Sequence, residues 1–353
     1  MKKLLYVFLI LVTIISVVVT IASYVAGTIS PAEHEWLPFL SLAILPLTII
    51  NLFLFLLWCV CRSRWCVLPL SMILMHFEFI SSMFQVRVFQ KEIPTGKEKI
   101  KVISYNVDNF QLEGKDQLPH VVNWVKDENP DIVCLQESST KWMISADSLA
   151  QIFSDFPYHI SSEKAGADMN MTILSKFPIT EKESLRYPLS CNQSYYVALD
   201  VNGKRVRMFS NHLQTTSVNS VKPKLYKAIA EENKKEEAFA FKEMTKRMQE
   251  NFKMRASQAD FIRRLIDKEN SPVIVCGDFN DPPLTYTYRK VKGDLIDGFR
   301  ECGSGFGYTF RQIRRVFRID YILYSSDFQG VRYESPDVDF SDHKPVVWEG
   351  YLK

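Results

Sequence analysis

The 353 residues predict an α/β domain carried behind three membrane-spanning segments, and three observations lead there. Apolar residues, 47% of the total, crowd the first 86 positions. The rest of the chain interleaves short strand-like runs with segments of helical period. Several of those strand-like runs end in Asn, Asp, Glu or His, residues that a core has little use for.

Residues 4–26 carry no charge and, at about 1.5 Å per residue, are long enough for a hydrocarbon core of roughly 30 Å. Residues 37–60 repeat the pattern, and residues 65–84 do so with interruptions at His76 and Glu78. Spans are therefore expected at 4–26, 37–60 and 65–84, within an anchor of residues 1–86. A cleaved signal peptide would share the basic start at Lys2 and Lys3 and the small residues near Ala26. Its apolar stretch would be only roughly 7 to 15 residues, and no further runs would follow. Lys2 and Lys3 before the first run, with Arg62 and Arg64 after the second, place the N-terminus in the cytosol. The C-terminal domain then lies outside, which for a bacterium means a multi-pass inner-membrane protein with an extracytoplasmic domain. Arg87 and Lys91 pull weakly the other way, but long domains translocate largely regardless of charge.

Beyond the anchor, residues 87–98 form a charged linker with Pro94, and residues 99–353 suit one domain better than two. "KIKVISYNV" reads as a strand. Pro119 then opens a helix whose apolar stripe is Leu118, Val121, Val122 and Val125. "DIVCLQE" is a buried strand, residues 141–153 a helix, and "MTILSKFPI", "SYYVALDV" and "KRVRMFSNHL" further strands. Residues 217–270 interrupt this rhythm as a helical insertion. Phe241, Met244, Met248, Phe252, Ala256, Ala259, Ile262 and Ile266 step by three and four along one face until Ser271 and Pro272. Its mixed charges are those of a solvated outer face. "PVIVCGDFN", "RIDYILYS" and "KPVVWEGYL" complete the strands.

Charge and cysteine content narrow the function. Residues 86–353 hold 39 basic and 37 acidic side chains, too balanced for a domain that binds by coating a polyanion. None of the seven cysteines has the paired spacing of a metal site. Cys59, Cys61 and Cys66 lie at span ends, as small apolar residues or lipidation sites. Cys134 and Cys276 read as core, and Cys191 with Cys302 is the one pair that an oxidising compartment could join.

The polar residues at the strand ends are Asn106, Glu137, His212, Asp278 with Asn280, and Asp320, and the last strand is preceded by Asp342 and His343. Taken singly, each has a plain explanation: Asn106 or Asp278 can cap a turn, Glu137 a helix, and a lone His212 can sit satisfied in a core. Taken together they are carboxylates, amides and two histidines with no thiolate, the donor set of a hard cation such as Mg²⁺. In a layered α/β domain, strand ends are where a cleft gathers side chains from distant segments.

The motifs "SYNV", "LQES", "SNHLQT", "GDFND", "RIDYIL" and "SDHKPV", in this order, resemble those of the endonuclease/exonuclease/phosphatase superfamily over residues 99–353. The resemblance implies the deoxyribonuclease-I-like fold, a four-layer αββα sandwich, and hydrolysis of phosphate esters with Mg²⁺ or Mn²⁺. It further implies metal ligation by Glu137, with Asn106 and Asp342 completing or orienting the site. By the same resemblance Asp278 and Asn280 position and deprotonate the attacking water, His343 contacts the phosphate with Asp320 as its carboxylate partner, and His212 protonates the leaving oxygen. Between Glu137 and His212 many members carry one more phosphate-contacting residue; here only Asn170 or Tyr158 offers itself.

"GFGYTFRQIRRVFRID" supplies Arg311, Arg314 and Arg318 as candidate substrate-binding residues, against the alternative of an exposed strand pair with solvated arginines. The tether and the near-neutral domain favour a small or lipid-borne phosphodiester over long duplex DNA, leaving a nuclease as the alternative. The expected partners are thus a nucleic-acid or lipid-headgroup phosphodiester and membrane lipid, with no protein partner evident. A catalytically silent receptor that keeps the cleft for binding would have lost some of these positions, and none of the main set is missing.

Overall fold

The computed structural model describes residues 2–87, 92–139, 149, 151–161, 169–216, 218, 221–312 and 315–353. The helix expected over residues 141–153 falls largely outside them. The chain forms two compact units, one of Met1–Ser82, Thr216–Ser257 and Pro283–Arg289, the other of Met83–Thr215, Gln258–Pro282 and Lys290–Lys353.

In the first unit only one of the three expected spans is a continuous helix, Lys2–Ala26, long and apolar enough to cross a membrane. The second run divides into Leu37–Leu42 and Ile44–Val60, whose 17 residues reach about 25 Å, short of the roughly 30 Å core. The third divides into Val67–Met75 and Phe77–Met83, bent by 53°. Three spans are thus corrected to one, or two if the bent pair counts as one. Composition registered the apolar runs but not helix continuity: Pro46 has no N–H to donate to the Leu42 carbonyl, so the second run breaks at Ala43, and His76, at the bend, hydrogen-bonds Thr48 Oγ1 through Nδ1 at 2.8 Å. Polar contacts fix how these helices meet. Asn51 Nδ2 donates to Thr20 Oγ1 at 2.8 Å, and Trp58 Nε1 to Thr13 Oγ1 at 2.9 Å.

The same unit holds the helix Lys222–Ala230 and most of the long helix Lys234–Ile266. The long helix starts earlier than its apolar stripe because Asn233 Oδ1 caps it, accepting from Glu236 N at 3.3 Å. Ala256, Ala259 and Ile262 of the stripe are buried, but Phe241 is 59% exposed.

The second unit is built on two six-stranded sheets. In chain order the strands are β1 (Ile100–Asn106), β2 (Ile132–Gln136), β3 (Tyr158–Ser161), β4 (Thr172–Ser175), β5 (Ile179–Arg186) and β6 (Gln193–Val201). They continue with β7 (Lys204–His212), β8 (Val273–Asp278), β9 (Ile296–Asp297), β10 (Asp320–Tyr324), β11 (Phe328–Glu334) and β12 (Val346–Leu352). One sheet runs β9-β10-β8-β7-β6-β5 and the other β11-β12-β1-β2-β4-β3. "MTILSKFPI", read as one strand, is two in different sheets, because the chain turns across Lys176–Pro178. Each sheet has one parallel pair, β7 with β8 and β1 with β2, among antiparallel neighbours.

All seven residues of β1 are buried, as expected of a central strand covered on both faces. Ile100 and Val102 join Cys134, Val197, Met208, Ile274 and Ile322 in the core between the sheets. Ile103 and Tyr105 face the other way, onto Val121, Val122 and Val125 of the helix Leu118–Glu128, the stripe read from the sequence. This is an α/β sandwich of two mixed sheets.

Gly277 shows how tightly β7 and β8 meet. Its φ is +123°, and a Cβ there would lie 1.9 Å from the Asn211 carbonyl oxygen. Gly277→Ala is expected to cost about 3 kcal/mol of stability, measured by denaturant unfolding, because the neighbour is backbone and cannot yield.

Candidate active site

The two parallel pairs bring polar strand ends together. Asn106, the last residue of β1, lies opposite Gln136 in β2, so Glu137 follows immediately beyond. Glu137 is left-handed (φ 51°) and its carbonyl accepts from Asn109 N at 2.8 Å. Its Oε1 accepts from Asn106 Nδ2 at 3.1 Å. The same Nδ2 donates to Asp278 Oδ2 at 3.1 Å, which ties the two sheets together across the site.

In the other sheet His212 lies opposite Asp278 in the parallel register, and Asp278 opposite Asp320 in the antiparallel one. His212 Nε2 is 3.4 Å from Glu137 Oε1 and 3.7 Å from Asp278 Oδ2. Asn280, also left-handed, donates its backbone N–H to Asp278 Oδ1 at 2.8 Å and its side-chain amide to Asp278 Oδ2 at 3.1 Å. His343 Nδ1 meets Asp320 Oδ2 at 2.9 Å, while its Nε2 is 3.9 Å from Asp278 Oδ2 and 4.0 Å from Asp342 Oδ1. Asn106, Glu137, His212, Asp278, Asn280, Asp320, Asp342 and His343 thus converge on one place.

Burial and mutual repulsion set the charges. Burial pushes the Glu137 carboxyl up to about 7, opposed by the Asn106 amide and His343 and reinforced by Asp278 and Asp342. Asp278 is raised by burial and by Asp320, against the pull of the two histidines. Burial lowers His212 to about 4 despite Asp278, which leaves it neutral near pH 7. Burial acts the same way on His343, but Asp320, Asp278 and Asp342 together outweigh it and hold that imidazole well above its ordinary value. The two histidines of one site are thus shifted in opposite directions.

These groups fit a divalent cation. Asp320 Oδ1 and both ring nitrogens of His212 are buried without a hydrogen-bond partner, and oxygen donors dominate around them. Asp278, Asp320 and His343 lie close enough to share an ion. Yet His343 and Asp320 already occupy one another, and a protonated imidazole does not ligate. The Glu137 and Asp278 oxygens are the better-placed carboxylate donors, Asn106 orients both through Nδ2 while its Oδ1 accepts from Asp108 N at 3.2 Å, and Asp342, whose Oδ2 accepts from Gln312 Nε2 at 2.9 Å, stands at the edge.

Two residues that hold the site gave little sign of it in the sequence. Ser341 Oγ donates to the Asn106 carbonyl at 2.7 Å and accepts from His343 N at 3.2 Å, pinning the histidine's loop to β1. Its place beside "DH" was the one available signal. Thr309 Oγ1 accepts from the backbone N–H groups of Ile319 and Asp320 at 3.0 and 3.1 Å, and nothing in its sequence neighbourhood marks it. Of the two residues offered for the gap, Asn170 is placed beside Glu137, its carbonyl accepting from Ser138 N at 2.8 Å, whereas Tyr158 is exposed on β3.

The arginines require correction. Arg318 is wholly buried: Nη1 donates to Asp297 Oδ2 at 2.9 Å, Nη2 bonds the other oxygen, and the guanidinium lies 4.7 Å from the Tyr321 ring. Arg311 is held by Asp337 at 2.8 Å. Arg314 lies outside the described residues. An arginine-rich run shows its charge but hides the carboxylates that claim it. Arg318→Ala is expected to lose about 3–5 kcal/mol of stability by stranding Asp297, with activity per folded molecule retained. Denaturant midpoints and active-site titration would measure the two effects.

Comparisons with known proteins agree with this architecture. Residues 103–343 match the model of the Endonuclease/Exonuclease/phosphatase family, and residues 3–83 that of a domain of unknown function, DUF8431. No curated protein matches. Among solved structures, an endonuclease/exonuclease/phosphatase family protein from Bacteroides thetaiotaomicron is similar at 17% identity and TM-score 0.51, over 73% of this chain and 99% of that one. Truncated Caenorhabditis elegans TDP2 is similar at 19% identity and TM-score 0.51, over 72% and 98%. D. rerio TDP2 complexed with a single-strand DNA product gives 15% and 0.51, over 72% and 99%. At such identities the likeness is one of fold, and it is the family model, spanning both sheets and ending at His343, that settles membership: the chain belongs to the endonuclease/exonuclease/phosphatase family.

Proposed function

We propose that this protein is a membrane-anchored, divalent-metal-dependent phosphodiesterase. The observation that carries the reading is the pairing of opposite perturbations within one cluster: carboxyls of Glu137 and Asp278 pushed up beside His343, itself held protonated by Asp320. A carboxylate of raised pKa is a better base, and an imidazolium is a charge partner for phosphate.

Glu137 is the residue that would hold Mg²⁺ or Mn²⁺, with Asp342 and Asn106 completing or orienting the site. Such an ion, when bound, offsets the charge growing on the phosphoryl oxygens. Asp278 takes the proton of the attacking water, whose oxygen Asn280 helps to aim. The new oxygen–phosphorus bond forms as the ester bond breaks. His343 presents Nε2–H to a phosphoryl oxygen, since Asp320 occupies Nδ1. His212, expected from the sequence as the acid for the leaving group, is neutral and suits hydrogen-bond donation rather than delivery of a positive charge. The leaving oxygen then takes its proton from His343 or solvent.

The long apolar helix supports the anchor, and Lys2 and Lys3 before it favour a cytosolic N-terminus with the domain extracytoplasmic. A lipid-borne or small phosphodiester is the preferred substrate. The nuclease reading has one observation in its favour, the zebrafish neighbour bound to single-strand DNA product. Assaying the full chain in detergent on a nitrophenyl phosphodiester, phospholipids, DNA and RNA separates the two readings, and activity that survives EDTA would refute both.

Metal binding should carry its own pH signature. Glu137 must lose its proton to ligate, so cation affinity is expected to fall about tenfold per pH unit below 7, read by calorimetry. Without metal, a carboxyl raised from 4.5 to about 7 contributes stability that is present below 4.5 and lost as pH rises to 7. The metal-free melting temperature is expected to drop over that window, and added Mg²⁺ to restore it at the upper end.

A further inference from the structure

We infer that the helix Lys222–Ala230 and the long helix as far as Lys253 form a basic, aromatic surface that lies on anionic lipid. This rests on the membrane-anchored reading and extends it to an element that the catalytic site does not use. Leaving out the buried Arg255, residues 222–253 hold nine Lys and Arg against six Glu, a surplus of three that equals the whole chain's +3. This one segment therefore carries the protein's basic surplus. Among its lysines stand large apolar side chains turned to the outside: Tyr226 is 64% exposed, and Phe239 and Phe241, 69% and 59% exposed, flank the buried Ala240 on either side of the long helix. A solvated helical face has no reason to present them. Lysines around exposed aromatics are the composition of helices that lie in a membrane interface, where the charges meet lipid phosphates and the rings enter the acyl boundary.

Position within the first unit argues for the same partner. The segment just after the apolar helix Lys2–Ala26 is docked onto the long helix: the Phe39 and Phe252 rings meet edge-on at 5.4 Å, and Glu35 pairs with Lys253. The long helix is therefore held at the level where the apolar helix ends, which is the bilayer interface. Trp36, 63% exposed and 5.8 Å from Phe39, stands at that level as an interfacial aromatic does. From Phe252 the helix runs about 16 Å to Phe241, so the exposed rings extend an interface already begun.

The test uses the full chain reconstituted into vesicles of phosphatidylcholine, alone or mixed with phosphatidylglycerol. Benzoylphenylalanine replaces Phe241 in one sample and, as a control for insertion, the lipid-exposed Val18 in another. Both changes are at exposed positions. The expected result is lipid labelling from both positions, with the yield at 241 rising about fivefold or more when phosphatidylglycerol is present. Lys224→Gln, Lys227→Gln, Lys234→Gln and Lys235→Gln together should abolish that rise but leave labelling from position 18 intact. Labelling from 18 without any from 241 would overturn this surface and leave the anchor standing. Labelling from neither would overturn the anchor and the surface with it, and equal labelling from 241 in both vesicle types would refute the preference for anionic lipid.

Discussion

Replacing Asp278 with asparagine is expected to lower kcat for phosphodiester hydrolysis by about 10³-fold, within the usual range for loss of a general base. The amide keeps the shape and its oxygen can still accept from Asn280 N, but its nitrogen replaces the acceptor of the Asn106 and Asn280 amides, and it cannot take a proton. Stability should move the other way. Asp278 is a buried carboxylate facing Asp320 across a strand pair, and both burial and that neighbour disfavour its charge. A neutral side chain of the same shape relieves both costs, so the metal-free protein is expected to melt higher as asparagine than as aspartate. Steady-state kinetics and thermal unfolding on one preparation check the pair. Full activity in the asparagine variant would remove Asp278 from the role of base, whereas lost activity with lost stability would mean that the site had collapsed. Glu137→Gln separates the base from the ligands: it should weaken cation binding and lose its activity through the metal, so that excess Mg²⁺ recovers part of it, which excess Mg²⁺ cannot do for Asp278→Asn if proton transfer is what was lost.

Much of this site was visible in the sequence because strands announce their ends. A buried apolar run that stops at Asn106, Gln136–Glu137, His212 or Asp278 says where the core gives out, and parallel pairing of β1 with β2 and β7 with β8 places those ends side by side. What stayed hidden depended on partners far away in the chain. Arg318 and Arg311 read alike as charges, and only the fold shows that Asp297 and Asp337 claim them. Thr309 is an ordinary residue until Ile319 and Asp320 turn their N–H groups onto it. The left-handed backbone at Glu137 and Asn280 has no glycine to mark it. In the anchor, composition located the apolar runs correctly, while the break at His76 came from a hydrogen bond to a residue 28 positions earlier.

Asp320→Asn tests the other half of the catalytic pair, and its effect depends on pH. His343 is buried, and burial alone would lower its pKa; Asp320 is the foremost of the carboxylates that reverse this. A histidine raised in this way contributes stability that is fully present below its unfolded value near 6.5 and is lost as pH rises through the folded value. If the imidazolium is the form that meets phosphate, activity falls on the same basic limb. Removing the charge at 320 leaves only Asp278 and Asp342 against burial, so the limb is expected to move to lower pH and kcat near pH 8 to drop by about 10²-fold or more. Lowering the pH should recover part of that loss in the asparagine variant, and the parallel fall of stability expected over the wild type's basic limb should disappear. A profile of kcat against pH from acid to alkaline, with melting temperatures at the same points, makes the measurement. A basic limb that stays where it was, with activity reduced uniformly at every pH, would show that Asp320 holds His343 in place without setting its charge.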